Sequence, residues 1–343
     1  MRCAGIASCC TDTAQRTRRL SLALHHHSAG SVDVAACTAA GVVVSATSPD
    51  LEAPFVTELA VAQCLALLRH LREVDAHTRA DAAGGDAYVP PVRSPAPGGS
   101  LVGATVGLLG VTGALPLAIS RALIALGVTT ILCLPVGSTN VTGDVDAVVS
   151  AVNQAALPGQ SPAPTVVLVS ALPELLKSSD VVFMTTHDVT RRTRHVIDSA
   201  ALATVKRGLL LINAASGALI DEGAVAQALE SGVLGGYACG GLARDERGLR
   251  SVGVDYGGPF PAATHAALLA SPHALLAASG TATAVLAAAQ RVELEAARAL
   301  AEALDGRVPS GAVNPTVPPR RPGAPPTSEV ARAGGLASYL WCF

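Results

Sequence analysis

A strand-like run that passes through glycines directly into a helix-like run constrains this chain most. Residues 106–120 have the sequence VGLLGVTGALPLAIS, and the apolar stretch leading into them begins at Ala104. A buried strand, a glycine turn and a helix without a spacer are typical of the first unit of a dinucleotide-binding βαβ fold, in which the helix N-terminus holds the pyrophosphate. The segment therefore predicts an α/β domain of the nucleotide-binding type.

The glycine pattern of this turn is incomplete. A G-x-G-x-x-G fingerprint beginning at Gly110 would also need glycine at 112 and 115, where the chain has Thr112 and Leu115. Further glycines stand at 107 and 113. We expect Gly110 to permit the tight turn, and Leu115 to push the helix outward or force a local rearrangement. The turn therefore lacks two of the three glycines of a typical phosphate-binding turn.

Apolar runs and helical patterns alternate along the rest of the chain. The pattern predicts strands at 128–134, 166–169, 179–184, 209–213 and 274–278, helices at 172–176, 199–205 and 221–230, and a loop at 137–164. This alternation predicts a parallel, doubly wound sheet. An Asp or Glu at the end of the second strand normally binds the adenosine ribose, but this chain has Leu134 followed by Pro135.

Composition excludes several classes of protein. The net charge is -2 and only 15% of the residues are charged, so a direct nucleic-acid ligand is not expected. No apolar run reaches the length of a membrane span. Eight dispersed cysteines without a C-x-x-C pair predict reduced thiols in a cytoplasmic protein, although a nuclear or organellar location stays open, and predict no metal site. The adjacent histidines His25, His26 and His27 cannot all face one metal ion from a strand.

Three segments resemble one enzyme family. The NAD-binding domain of the D-isomer-specific 2-hydroxyacid dehydrogenases is similar to three runs in this chain: SDVVFM, TRHVI and ALATVKRGLLLINAASGALIDEGAVAQALESGVLGG. SVDVAACTAAGVVVSATSP with VTELAVAQCLALLRHL resembles the end of that family's substrate domain, and GRVPSGAVNP resembles its C-terminal signature. The positions that the resemblance assigns to NAD are Gly110, Thr112, Gly113, Ala114, Leu134 and Ala214.

The resemblance also implies a domain organisation. Residues 98–282 would form a Rossmann domain, and residues 1–97 with 283–318 a smaller, discontinuous, flavodoxin-like α/β domain for substrate. About two βα units that usually begin the substrate domain are missing, so we expect it to be truncated at the N-terminus. Residues 319–343 are expected to be a disordered, Pro-rich tail. Family members dimerise mainly through the nucleotide domain, which predicts a homodimer.

Active members of this family use an Arg to bind the substrate carboxylate, a His as acid or base, and an acid that orients the His. Here Ser216 stands at the Arg position, Asp245 at the acid position and Ser279 at the His position. A serine cannot neutralise a carboxylate. These three positions are the family's catalytic set and are expected to be inactive.

The remaining His and Arg residues offer possible substitutes for the missing catalytic groups. His273 imitates a Pro-His pair but precedes its strand, which places it at the opposite end of the sheet from the site. His265 is expected to be a surface or packing residue. A displaced carboxylate clamp could come from one of five arginines, for which a solvated basic loop is the simpler interpretation: Arg191, Arg192, Arg194, Arg244 and Arg247.

Two functional hypotheses follow. The first is a non-catalytic regulatory or scaffolding member with protein partners and weak or lost NAD binding, similar to the C-terminal-binding corepressors and the plant Angustifolia proteins. The second is an NAD(P)-dependent oxidoreductase acting on the CH–OH group of a 2-hydroxy acid with a relocated base and clamp. A truncated gene model or a pseudogene product is a third interpretation.

Overall fold

The computed structural model describes residues 21–24, 32–39, 41–81, 99–136, 140–156, 163–186, 193–240, 262–277 and 285–316. These residues divide into two compact units. One unit holds 21–52 and 285–316, and the other holds 53–240 and 262–277. The predicted boundary at 97/98 thus differs from the boundary between compact units at 52/53. The tail from 319 onward and His25 to His27 lie outside the described residues.

The smaller unit contains a two-stranded parallel sheet. Strand β1 (Ser21–Leu24) pairs with β2 (Val43–Ala46), with Ser21 opposite Val43. Helix α1 (Val34–Ala39) lies between the two strands in the chain. A 3-10 turn (Pro49–Leu51) follows β2. Asn314 holds its own segment to β2, because its Oδ1 accepts from the Val44 N–H at 2.8 Å and its Nδ2 donates to the Val42 carbonyl at 3.0 Å.

The larger unit is built on a seven-stranded sheet in which every pair is parallel. Its strands are β3 (Thr105–Leu109), β4 (Thr130–Leu134), β5 (Thr165–Leu168), β6 (Val181–Met184), β7 (Leu209–Asn213), β8 (Leu234–Cys239) and β9 (Ala274–Leu276). Their spatial order is β5-β4-β3-β6-β7-β8-β9. The chain therefore moves outward from β3 in one direction and then returns to β6 beside β3, which is the doubly wound Rossmann arrangement that the sequence predicts.

The helices cover both faces of this sheet. They are α2 (Ala53–Leu68), α3 (Leu71–Asp81), α4 (Ala114–Ala125), α5 (Val141–Ala155), α6 (Leu172–Ser178), α7 (Ser199–Leu202), α8 (Glu222–Glu230) and α9 (Ala262–Ala270), while α10 (Leu286–Leu304) belongs to the smaller unit. One core cluster joins Cys64, Ile119 and Val148 to Leu108. The other joins Leu175 and Val225 to Leu109, the next residue of the same strand. Successive side chains of β3 thus point to opposite faces of the sheet and pack in different core clusters.

Helix α2 packs in the larger unit because it is apolar nearly all round. Ala60 and Cys64 are buried in the same cluster as Leu108, and Gln63 donates to the Cys239 carbonyl at 2.9 Å. The helix therefore packs on the Rossmann sheet, which explains why the unit boundary precedes Ala53. Assignment of the smaller unit to substrate binding stays a prediction.

One prediction about local structure is wrong. Residues 137–164 were expected to form a loop, whereas α5 occupies most of the segment. The Asn140 side chain caps this helix by accepting from the Gly143 N–H at 3.3 Å. Val148, Ala151 and Val152 are buried at helical spacing, so the helix forms through its apolar stripe and its cap.

Among the described residues, no helix combines the length and the apolar character needed to cross a bilayer.

Candidate functional site at the carboxyl edge of the sheet

The turn after β3 lies at the crossover between the two halves of the sheet. Gly110 has φ of +98°, and a Cβ added to it would lie 2.6 Å from the Thr186 Cβ. The residues after β6 close this turn, because the Thr185 hydroxyl donates to the Gly110 carbonyl at 2.5 Å and the Thr185 N–H donates to the Leu109 carbonyl at 3.0 Å. Only glycine fits position 110, as the sequence predicts.

Helix α4 points its N-terminus at this crossover. Gly113 is its N-cap, with φ of +87° and no side-chain cap, and Ala114 is its first residue. The first N–H groups of a helix have no intrahelical acceptor and carry a partial positive charge. Thr112, Gly113 and Ala114 are therefore placed where a phosphate is bound in Rossmann folds.

Leu115 is buried at the position where the third fingerprint glycine is expected. It is 2% exposed and belongs to the core cluster that includes Ile119 and Leu123. Helix α4 continues unbroken to Ala125. The leucine side chain is thus part of the helix–sheet core.

Thr112 contacts a carboxylate that sequence reasoning missed. Its hydroxyl donates to Oδ2 of Asp144, in the first turn of α5, at 3.1 Å. The sequence does not indicate this contact, because residues 137–164 are predicted to form a loop. A negative charge beside the phosphate position opposes an anionic ligand.

The ribose position at the end of β4 offers main-chain groups only. Leu134 is 8% exposed, and its carbonyl accepts the Gly110 N–H at 2.9 Å. A leucine side chain cannot accept hydrogen bonds from ribose hydroxyls. The crossover therefore keeps the backbone features of a dinucleotide site and lacks this side-chain feature.

Ser216 lies in the turn that follows β7. The Asn213 side chain builds this turn by donating to the Ser216 carbonyl at 3.1 Å and accepting the Ala215 N–H at 3.0 Å. The Ser216 hydroxyl accepts the Ala218 N–H at 3.3 Å and so caps the 3-10 turn (Gly217–Leu219). Ala214, just before it, donates its N–H to the Met184 carbonyl at 3.1 Å.

Arg194 lies in a segment that pairs with the Ser216 turn. The His195 N–H donates to the Ala218 carbonyl at 3.1 Å, and Ile197 forms a parallel bridge with Ile220. The Arg194 Nε is buried and has no hydrogen-bond partner within the described part of the chain. Of the five arginines named above, Arg194 is the one that lies within the described ranges, and its neighbour His195 pairs with Ala218, two residues after Ser216.

The remaining predicted groups divide into two sets. His273 directly precedes β9, at the amino-terminal edge of the sheet, as its position in the sequence predicts. His265 lies on α9, but its side chain is outside the description. Six residues lie outside the described ranges altogether: Asp245, Ser279, Arg191, Arg192, Arg244 and Arg247.

Part of the chain matches a known protein family. Residues 139–276 match the family described as D-isomer specific 2-hydroxyacid dehydrogenase, NAD binding domain. This part of the chain is therefore similar to the NAD-binding domain of that family. The match begins after the glycine turn and includes the runs SDVVFM, TRHVI and ALATVKRGLLLINAASGALIDEGAVAQALESGVLGG. The runs that resemble the substrate domain and the C-terminal signature lie outside it.

Individual proteins are also similar to this chain in sequence or in structure. The chain is 47% identical over 68 residues to the D-specific alpha-keto acid dehydrogenase of Enterococcus faecalis, a match that covers 20% of each protein. The pyruvate reductase structure from Chlamydomonas reinhardtii is 27% identical with a TM-score of 0.63, covering 84% of this chain and 77% of that one.

A third relative supports the fold. The D-lactate dehydrogenase of Lactobacillus jensenii, solved with NAD⁺, is 20% identical with a TM-score of 0.64, covering 86% of this chain and 78% of that one. The sequence matches to curated relatives are shorter, spanning 20%, 19% and 23% of the length of three of them.

Proposed function

We propose that the NAD-binding domain holds a nicotinamide dinucleotide at the carboxyl edge of its sheet, and that the chain is an NAD(P)-dependent oxidoreductase acting on the CH–OH group of a 2-hydroxy acid. The observation that carries this proposal is the crossover between β3 and β6, where Gly110 shapes the turn and α4 begins. Sequence similarity to 2-hydroxyacid dehydrogenases supports the reaction class.

The dinucleotide fits the main chain of this site better than its side chains. Thr112 and Gly113 would hold the pyrophosphate through their N–H groups at the start of α4, and Ala214 would lie near the nicotinamide end. Asp144 adds a negative charge beside the pyrophosphate, and Leu134 withholds the ribose acceptor. We therefore propose weak binding.

Arg194 is our candidate for the carboxylate clamp. A guanidinium binds a carboxylate through two parallel hydrogen bonds, which Ser216 cannot replace. Arg194 lies in the segment that pairs with the Ser216 turn, and its Nε is buried without a partner among the described residues. A bound nicotinamide would supply the hydride acceptor or donor, while the chain would orient the 2-hydroxy acid through Arg194. Asp245 is the retained carboxylate of the family's catalytic set.

Turnover of NADH with a panel of 2-keto acids tests this function. We expect saturable, substrate-dependent NADH oxidation that is lost in Asp245→Ala. Saturable NADH binding without oxidation of NADH by any acid of the panel would contradict the oxidoreductase proposal and leave dinucleotide binding intact.

The second candidate is a non-catalytic regulatory or scaffolding protein of the corepressor-like kind. The observation that favours it is the use of the Ser216 hydroxyl as a turn cap, so the family's cation position performs a structural role. It predicts an unchanged NADH affinity in Arg194→Ala and no turnover in either protein. Turnover that depends on Arg194 would exclude it.

Assembly and location are proposals that follow from the same family. We propose a homodimer in the cytoplasm, with further protein partners if the second candidate holds. Light scattering of the purified chain tests the dimer, and a mass of one chain would exclude it.

A further inference from the structure

Three metal-ligating side chains meet at the amino-terminal edge of the larger sheet, opposite the dinucleotide crossover. His70 lies between α2 and α3, Glu73 is in the first turn of α3, and His273 is the residue before β9. One ligand atom from each side chain lies within 4.8 Å of those of the other two. All three residues belong to the larger unit.

The separations between these atoms suit a small cation. Nδ1 of His70 lies 3.1 Å from Oε2 of Glu73, and Nδ1 of His273 lies 3.6 Å from Oε1 of the same carboxylate. Two ligands of a tetrahedral zinc ion, each about 2.0 to 2.2 Å from the metal, are about 3.3 Å apart. Small side-chain adjustments would therefore bring all three groups onto one ion.

The first two ligands are fixed by the junction between α2 and α3. His70 has φ of +47°, a left-handed conformation that is uncommon for a residue other than glycine, and its carbonyl accepts the Val74 N–H at 2.9 Å. The Arg72 guanidinium donates to the Ala274 carbonyl at 3.1 Å and so ties α3 to the start of β9, next to His273. These contacts hold the segments that carry the three ligands next to one another.

The His70 ring is buried with one nitrogen unsatisfied. His70 is 8% exposed, and its Nε2 has no hydrogen-bond partner in the described ranges. Unsatisfied buried polar atoms and left-handed non-glycine residues both cost free energy, and they concentrate at functional sites. His70 is therefore a candidate functional residue, and Nδ1, the nitrogen beside Glu73, is the atom that would bind the cation.

The cluster is accessible from solvent. It lines a pocket of about 250 Å³. The Glu73 and His273 side chains are 32% and 41% exposed, so a cation can enter and keep water in its remaining positions. Two imidazoles and one carboxylate with an open position form the ligand set of many zinc sites.

The charged residues near Glu73 contact other groups, so the Glu73 carboxylate is available to a cation. The Arg72 guanidinium contacts a main-chain carbonyl, and Asp75, which also lines the pocket, pairs with Arg79 at 2.8 Å. We propose that His70, Glu73 and His273 bind a divalent transition-metal ion, Zn²⁺ by ligand type, that links the α2–α3 junction to β9. The sequence expectation of no metal site missed this cluster because His273 is remote from the other two ligands in the chain.

Calorimetric titration of the full chain with Zn²⁺ alone tests this site, with thermal unfolding as a second readout. We expect wild type to bind one more equivalent than His273→Ala or His70→Asn. Asparagine tolerates the left-handed backbone of residue 70, so loss of binding in that variant reports the ligand. Zn²⁺ should raise the melting temperature of wild type by several degrees more than that of either variant.

His195→Asn is the matched control, because His195 is also a left-handed histidine of the same unit. It should keep the wild-type stoichiometry and thermal shift. Circular dichroism establishes that each variant is folded before titration, and Glu73→Gln provides a further ligand change that keeps the side-chain shape. Equal Zn²⁺ stoichiometry and equal thermal shifts in wild type, His273→Ala and Glu73→Gln would overturn the proposal.

Discussion

The Thr112 hydroxyl donates a hydrogen bond to the Asp144 carboxylate at 3.1 Å, beside the N-terminus of α4. This contact joins the second fingerprint position to the first turn of the next helix. It places a negative charge where a Rossmann domain binds pyrophosphate. We therefore propose that Asp144 weakens dinucleotide binding at this turn.

Removing this charge should strengthen dinucleotide binding. We expect Asp144→Asn to lower the Kd for NADH several-fold at low salt, with a smaller effect at high salt, because screening weakens charge–charge repulsion. Asp146→Asn makes the same change of charge at an exposed position of the same helix and serves as control. An equal gain in both variants would show that net charge, and not the Thr112 contact, sets the affinity. Fluorescence titration measures both.

A side chain at position 110 should destabilise the larger unit. Gly110→Ala combines a left-handed backbone with a clash against Thr186, whereas Gly103→Ala has the same backbone problem with no atom within 4 Å of the new Cβ. We expect Gly103→Ala to cost about 1 kcal/mol and Gly110→Ala more than about 2 kcal/mol in the free energy of unfolding. Urea denaturation measures the difference. Equal losses in the two variants would refute the tight closure of the turn by Thr186.

The proposed clamp predicts a split between substrate and cofactor affinity. Arg194→Ala should raise the KM for the 2-keto acid at least 100-fold, a loss typical of a bidentate charged contact, and leave the NADH Kd unchanged. Arg194→Lys keeps the charge without the bidentate geometry and should fall between the two. Arg121→Ala, on an exposed part of α4, is the matched control for loss of an arginine. A KM unchanged in Arg194→Ala excludes the clamp.

Two core thiols should be inert in the native protein. Burial raises the pKa of both the Cys64 and the Cys133 thiols from 9.0 to about 12. The reactive thiolate is therefore scarce at pH 8, and we expect alkylation by iodoacetamide only after unfolding, as read by peptide mass spectrometry. Rapid alkylation of either cysteine in the folded protein would contradict the packing described for α2 and β4.

The same shifts predict how stability depends on pH. In the unfolded chain these thiols ionise near pH 9.0, while in the folded chain they stay protonated until about pH 12. Their contribution to stability is therefore full below pH 9 and is lost progressively as the pH rises toward 12. Urea midpoints measured at pH 7.5 and 10 should fall with pH. Cys64→Ala and Cys133→Ala should each reduce that dependence.

The sheet could be predicted from sequence because its strands are continuous apolar runs separated by helical patterns. β7 was predicted with its observed bounds, Leu209–Asn213, since a buried parallel strand needs no partner-specific signal. Helix α5 was missed because its signal is a weak Asn cap and three small apolar residues. The role of Gly110 in the turn could be predicted because a tight turn with positive φ requires glycine. The partner of α2 and the Asp144 contact depend on tertiary packing, which local patterns do not encode.

The His70 cluster shows the same limit. The His-x-x-Glu spacing is visible in the sequence, but only the return of β9 beside β8 brings His273 to it. Ligands contributed by distant segments have no characteristic spacing. They become apparent only when the strand order is known.

Calorimetric titration of the full chain with NAD⁺ and NADH tests the central claim most directly. The retained crossover predicts saturable binding of one dinucleotide per chain, weak in wild type and tighter in Asp144→Asn. Absence of heat with both dinucleotides, in wild type and in Asp144→Asn alike, would contradict it and would show that this fold persists without its ligand.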